Sequence, residues 1–157
     1  MTLQRRRGLR LLLIVASGAV FLDVPPATAL EPYAAQPQEI ALMPEYCRAK
    51  IGGPGFAAAS NYDMWAKRFG DVWLHMHHYC HGLKFVQRAS RAGISKEDRG
   101  YDLNSALGEF DYIISVAPPD FWFLSEVHLQ KALVLGRLGR QAEAAAEYRL
   151  VRQPGSQ

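Results

Sequence analysis

The chain has 157 residues, of which 49% are hydrophobic and 21% are charged, enough for one globular core and too few for two independent domains. Its formal net charge of +3 lies entirely in the first 29 residues, which carry four arginines and one aspartate. Of the 18 basic and 15 acidic residues in the whole chain, 14 of each therefore follow residue 29. Nucleic acids and anionic membranes attract a clustered positive field, so this neutral remainder argues against both as partners.

The first 29 residues have the pattern of an export signal. An arginine-rich N-terminal segment precedes an apolar run over residues 11–22. Ala27 and Ala29 are the small residues that a signal peptidase needs at its cleavage site. We expect cleavage after Ala29 and a periplasmic or secreted protein. The apolar run is shorter than the roughly 20 residues that cross a bilayer, so no stable membrane anchor is expected. Because Arg6 and Arg7 resemble a twin-arginine signal, the general secretory and twin-arginine routes both stay open.

The two cysteines, Cys47 and Cys80, are predicted to form a disulfide. An oxidising compartment favours pairing of an even number of cysteines. The bridge would close a loop of roughly 34 residues and stabilise the fold by on the order of 3 to 4 kcal/mol.

In chain order, the sequence first predicts a loosely held arm over residues 30–43, where prolines interrupt any hydrophobic period. A single helical domain is expected over residues 44–153, with residues 154–157 as a tail. Its first helix begins at Pro44 and ends at the glycines of residues 52–55. Asn61 or Asp63 can cap the next helix.

The remaining segments also favour helices. Asp71 can cap a helix that runs to about Arg91, and the polar residues 94–100 are predicted to form a loop. Three further helices are expected over residues 102–116, 121–138 and 141–153, each followed by Pro or Gly. No segment alternates like a strand, so the predicted fold class is all-α.

A spacing of small and large residues recurs in the second half of the chain. Ala144, Tyr148 and Val151 repeat the offsets of 0, 4 and 7 residues that separate Ala106, Phe110 and Ile113. With Ala132, Leu135 and Gly139, residues 128–151 resemble one tetratricopeptide repeat. A preceding repeat would use Gly82 and Phe85, but the loop over residues 92–101 is too long for the family.

This resemblance implies antiparallel helical hairpins with one or two extra N-terminal helices. Close approach of the paired helices would require the small residues Gly82 with Ala106 and Ala132 with Ala144. Tyr148 is expected to pack back across its hairpin. Two repeats are few for such a fold, so the N-terminal helices or a second copy of the chain, in a homo-oligomer, should cover the exposed end.

Members of this family usually bind peptides or protein partners on a concave face, and the resemblance implies a non-catalytic adaptor or assembly factor. The consecutive Phe121, Trp122 and Phe123 cannot all face one buried stripe, so one of them is expected to be exposed as a partner contact or to pack on a neighbouring element. The candidate partner contacts in the groove between helices are Glu109, Tyr112, Trp122, His128, Lys131 and Arg137.

Four of the five histidines lie within the stretch WLHMHHYCHGL, residues 73–83. The interpretation we favour needs no cofactor: His77 and His78 are partly buried and bond to neighbouring helices, while His75 and His81 face solvent. The alternative is a small exported protein that binds zinc, copper or haem through His77, His78 and His81. A metal would also need a ligand from another helix, and the candidates are Asp71, Glu109 and His128.

Other chemistry is not indicated. A c-type haem attachment would need a cysteine where His77 stands, and pairing with Cys47 would remove the thiol of Cys80. Cys80 beside histidines of its own helix lacks a third residue to orient a nucleophilic pair. No phosphate-binding glycine loop, serine elbow or paired-carboxylate motif is present in the sequence. We therefore expect no enzymatic activity.

Overall fold

The structure, a computed structural model, describes residues 33–53, 55–56 and 59–151. This part of the chain contains seven α-helices, one 3-10 helix and no strand, which confirms the all-α class for it. The predicted signal over residues 1–29 and the predicted tail over residues 154–157 lie outside the described residues. The helices are α1 (Pro37–Ala41), α2 (Glu45–Ile51), α3 (Ala59–Phe69), the 3-10 helix (Gly70–His75), α4 (Met76–Arg88), α5 (Lys96–Val116), α6 (Leu124–Arg137) and α7 (Gln141–Tyr148).

Helices α4 to α7 pack in chain order, each against the next, while α2 packs on both α3 and α4. The core between them is rich in aromatic rings, with Tyr79, Phe85 and Phe110 almost fully buried. Burial of such large side chains provides most of the hydrophobic stabilisation of a small domain. No helix in the described residues is long and apolar enough to cross a membrane.

The predicted disulfide is confirmed. Cys47 of α2 and Cys80 of α4 are joined by an S–S bond of 2.07 Å, and both residues are fully buried. The bond ties the N-terminal helices to the long helical core. It also takes up the only sulfhydryl that a haem thioether in this stretch could use.

Residues 33–43 differ from the loosely held arm that the sequence predicts. Pro37–Ala41 form α1, and Ile40 and Met43 are buried. The buried carboxylate of Glu39 accepts hydrogen bonds from Arg88 at 2.7 and 2.9 Å and also pairs with Arg91. Bidentate hydrogen bonds between a guanidinium and a carboxylate are among the stronger side-chain contacts, and here they hold α1 on α4.

Three predicted helix starts are wrong. Helix α3 begins at Ala59, ahead of both predicted caps, Asn61 and Asp63. Asp71 does not cap an α-helix: Gly70 has a positive φ of 59° and ends α3, the 3-10 helix follows, and α4 begins only at Met76. Residues 96–100 are not a loop but the first turns of α5. The Ser95 hydroxyl caps that helix by accepting a hydrogen bond from the Asp98 backbone N–H at 2.9 Å.

The small residues predicted at helix contacts are buried. Gly82 packs so closely on α5 that a Cβ atom there would stand 2.5 Å from the Phe110 ring. Ala106, Ala132 and Ala144 have at most 3% of their surface exposed. Gly82 thus lies where α4 meets α5, and the three alanines are buried within the described fold.

The two halves of the sequence repeat differ at their aromatic position. Phe110 is fully buried, whereas Tyr148 is 46% exposed. Helix α6 follows α5 and covers the α5 face, but no helix in the described residues follows α7. Tyr148 and Leu150, which lies just beyond α7, are both exposed.

We predict that Gly82→Ala lowers the free energy of unfolding by about 1 to 3 kcal/mol, because an added methyl overpacks the contact with Phe110. The matched control is Gly108→Ala in α5, where a Cβ meets nothing within 4 Å and the better helix former should leave stability unchanged or raise it by up to about 1 kcal/mol. Urea denaturation measures both. Equal stability of the two variants would contradict the close packing at Gly82.

Replacement of both cysteines, Cys47→Ala with Cys80→Ala, is expected to lower stability by on the order of 3 to 4 kcal/mol, because the unfolded chain regains the freedom of the closed loop. Thermal unfolding with and without a reductant measures the effect. The reductant should lower the midpoint of the native chain and leave the double variant unchanged. An unchanged midpoint in native protein with its bridge opened would show that the bond contributes no stability.

Candidate interaction cleft

An open cleft of about 490 Å³ lies between the 3-10 helix and the connection from α5 to α6. One wall comes from the end of α3 and the 3-10 helix, and the other from residues 116–122. The cleft exists because Gly70 ends α3 early and Pro118 ends α5, so two irregular segments face each other. The lining residues are Phe69, Asp71, Val72, His75, Val116, Pro118, Asp120, Phe121 and Trp122.

The prediction that the three consecutive aromatic residues cannot all be buried is confirmed. Phe123 is 7% exposed and packs against the rings of Tyr46 and Tyr79, at centroid distances of 5.4 and 5.0 Å. Phe121 is half-buried at the edge of the core, and Trp122 is 50% exposed. A turn closed by the Phe121 N–H and the Pro118 carbonyl oxygen, 2.9 Å apart, precedes these residues, and all three rings pack on Phe69 with centroids at most 6.1 Å away.

Trp122 is held in place although half of it is exposed. Its ring centroid lies 5.1 Å from that of Phe69, and the Arg68 guanidinium stands 4.9 Å from the indole. The indole N–H donates a hydrogen bond to the Arg68 carbonyl oxygen at 3.3 Å. A large side chain fixed in this way loses little conformational entropy when another molecule covers it.

The cleft carries two acidic side chains, Asp71 and Asp120, and both are exposed. Neither carboxylate has an ion-pair or hydrogen-bond partner among the described residues. The carboxylates of Glu39 and Glu147, by contrast, are paired within the fold. Uncompensated negative charge therefore lies beside the exposed indole.

Other candidate residues form a network between α4 and α5. His78 Nδ1 donates to Glu109 Oε2 at 2.7 Å, and the ring of Tyr112 stacks on His78 with centroids 3.8 Å apart. The Tyr112 hydroxyl lies 3.0 Å from His75 Nδ1. The Glu109 side chain is only 7% exposed, so it contacts α4 and not the open groove in which the sequence predicts it.

His81 and Lys84 interact within α4. The Lys84 ammonium, whose residue is fully buried, donates to His81 Nδ1 at 3.3 Å. Burial, and then the charge of Lys84, lowers the pKa of His81 to about 4. Burial likewise lowers the pKa of Lys84 to about 8, with the Arg88 charge acting in the same direction.

The favoured interpretation of the histidines is right for His78, which bonds to α5. His77 is partly buried as predicted, and its Nδ1 donates to the Leu74 carbonyl oxygen of the adjoining 3-10 helix at 2.9 Å. His75 and His81 are only partly exposed, so they face solvent less than the sequence predicts. The unfavourable burial of a charged ring lowers the pKa of His77.

The metal-binding alternative lacks a complete ligand set. The His77 ring centroid lies 4.3 Å from that of His78 and 6.2 Å from that of His81. His77 and His78 both donate from Nδ1, the tautomer in which Nε2 can bind a metal. Yet no group of three or more His, Cys, Asp or Glu side chains in the described residues is arranged to hold a metal ion.

The remaining predicted partner contacts are spread over other places. His128 Nδ1 donates to Glu147 at 2.6 Å, and Lys131 pairs with Glu147 and Asp111 at 2.6 and 2.7 Å, so both side chains tie α6 to its neighbours. Arg137 is exposed, 3.4 Å from the Val86 carbonyl oxygen. His128 and Trp122 do meet at a smaller cleft of about 190 Å³.

Sequence reasoning thus found Trp122 but missed the wall that faces it. Phe69 and Val72 have the apolar character of core positions, and nothing in their spacing indicated a cleft. The consecutive prolines before the aromatic run were the one local signal of an irregular wall. Comparison with protein-family models, characterised proteins and solved structures finds no match to this chain.

We predict that stability falls as the pH is lowered from about 6.5 towards 4, in part because the unfolded chain protonates His81 while the folded chain resists it. His81→Gln keeps an acceptor for Lys84 and removes this titration. Its melting temperature should therefore fall less on acidification than that of the native chain.

Thermal unfolding between pH 7.5 and 4.5 measures this difference, and nitrogen NMR of the His81 ring checks its charge. A ring that titrates near 6.5, together with the same pH dependence in both proteins, would contradict the burial described for His81.

Proposed function

We propose that this protein is an exported, non-catalytic helical adaptor or assembly factor that binds a protein partner at the cleft beside Trp122. The observation that carries the proposal is a large aromatic side chain that is half exposed yet fixed by Phe69 and Arg68. Tryptophan and arginine are enriched among the residues that dominate binding energy at protein interfaces. The cleft volume falls within the range of binding pockets of about 300 to 1,000 Å³.

The helical arrangement supports a scaffold role. Helices α4 to α7 pack in chain order, and Gly82, Ala106, Ala132 and Ala144 are buried as the tetratricopeptide resemblance requires. Under this proposal the pairs are hairpins of that family, and the rigid core presents the cleft. The buried Cys47–Cys80 bond is consistent with the oxidising compartment that the leader sequence predicts.

The histidine side chains between α4 and α5 make contacts that stabilise the fold. These contacts support the non-catalytic role in this proposal. Glu109 is buried against His78, and Tyr112 covers the same ring. These groups hold α5 on α4, with Phe110 and Gly82 in the same interface. Replacement of any of them is therefore expected to affect stability before it affects binding.

To test the proposal, proteins captured from the native host would be identified, and the partner purified for calorimetric titration. Trp122→Ala should weaken binding by at least about tenfold, because removal of an interface anchor costs more than 1 kcal/mol. The matched control is Tyr101→Ala, which removes an aromatic ring that is 59% exposed on α5, away from the cleft. Its binding should equal that of the native chain.

Equal affinities of Trp122→Ala and the native chain would contradict the proposal. Thermal unfolding of both variants is needed as well, because a loss of binding counts only if the fold is intact. Since the Trp122 ring also rests on Phe69, Trp122→Phe provides a second variant that retains this contact and lacks the indole N–H.

A further inference from the structure

We propose that the cleft beside Trp122 binds an arginine side chain in an extended segment of the partner protein. This inference rests on the proposed function and specifies the chemistry of the partner. It follows from the charges at the cleft: Asp71 and Asp120 line it, and no lysine or arginine does.

The two carboxylates have no counter-ion in the described part of the chain. Arg68 stands beside the cleft, but its guanidinium lies over the Trp122 ring and Arg68 is not among the lining residues. His75 lines the cleft with its Nδ1 atom already within hydrogen-bond distance of Tyr112. A partner with a positive charge would therefore supply a counter-ion for the two carboxylates, and an acidic partner would be repelled.

The walls of the cleft suit the rest of an arginine side chain. Val72, Val116 and Phe121 offer apolar surface for its three methylene groups, while the carboxylates can accept hydrogen bonds from the guanidinium. A guanidinium also stacks on aromatic faces, which an ammonium does less well. The cleft is open to solvent, so a side chain of an extended segment can enter it.

The experiment uses the oxidised mature chain and two probe peptides of defined sequence, acetyl-Leu-Arg-Leu-amide and the same peptide with citrulline. Citrulline keeps the shape of arginine without its charge. Titrations are followed by the NMR signal of the Trp122 indole N–H. This signal is assigned by its absence from the spectrum of the Trp122→Phe variant. The arginine peptide should give a saturable shift and bind at least about fivefold more tightly than the citrulline peptide, as expected for a charge-assisted contact over aromatic rings.

Charge variants complete the test. Asp71→Asn combined with Asp120→Asn should reduce the affinity for the arginine peptide to that for the citrulline peptide. The control Asp63→Asn removes an exposed carboxylate of α3 that does not line the cleft, and it should change nothing. The advantage of arginine should shrink as salt is added.

Equal binding of the two peptides, or no shift of the Trp122 signal with either, would overturn the inference. If the native partner nevertheless requires Trp122, the proposed function stands and only the arginine assignment falls. If the partner binds equally well without Trp122, both fall.

Discussion

The buried ring of Phe69 is the contact on which the rest of the described structure depends. It ends α3, is 3% exposed, and packs on Tyr46 of the disulfide-linked α2, on Trp73 of the 3-10 helix and on the rings of residues 121–123. One side chain thus joins the N-terminal helices, the start of the histidine stretch and the connection between α5 and α6. Because aromatic contacts of this kind add to the energy of burial itself, they fix an irregular segment that has no regular backbone pairing.

Two covalent or ionic ties support this cluster from opposite sides. The Cys47–Cys80 bond holds α2 on α4, and the Glu39 carboxylate, bound by Arg88 and Arg91, holds α1 on the far end of α4. Removal of one partner from a buried ion pair leaves an uncompensated charge and is more harmful than the loss of an exposed pair. The N-terminal helices are therefore part of the folded core, which keeps α3 and Phe69 in place at the cleft.

Much of the fold could be predicted from the sequence, because helical periodicity, terminating Gly and Pro, and small residues at contacts are local signals. The all-α class followed from such signals, and the Cys47–Cys80 pair followed from an even number of cysteines behind a predicted export signal. The predicted α5 start is too late, although Ser95 and Asp98 form a recognisable cap, because a run of polar residues is also typical of a loop. The order of residues 37–43 could not be predicted, since it comes from Glu39 meeting arginines about 50 positions away. Likewise, the sequence indicated that one of the three consecutive aromatic residues is exposed, as Trp122 is, but the opposite wall depends on where Gly70 ends α3.

The histidine-rich stretch, the most unusual feature of the sequence, has an internal role in the described structure through Glu109, Tyr112, Leu74 and Lys84. The exposed side chain proposed to bind a partner is instead that of Trp122. The proposal requires this side chain to be held rigidly. Nitrogen relaxation of its indole N–H measures this most directly. We predict an order parameter near 0.85, typical of rigid backbone. A value below about 0.6 would show a freely moving side chain and contradict the claim that Phe69 and Arg68 fix it.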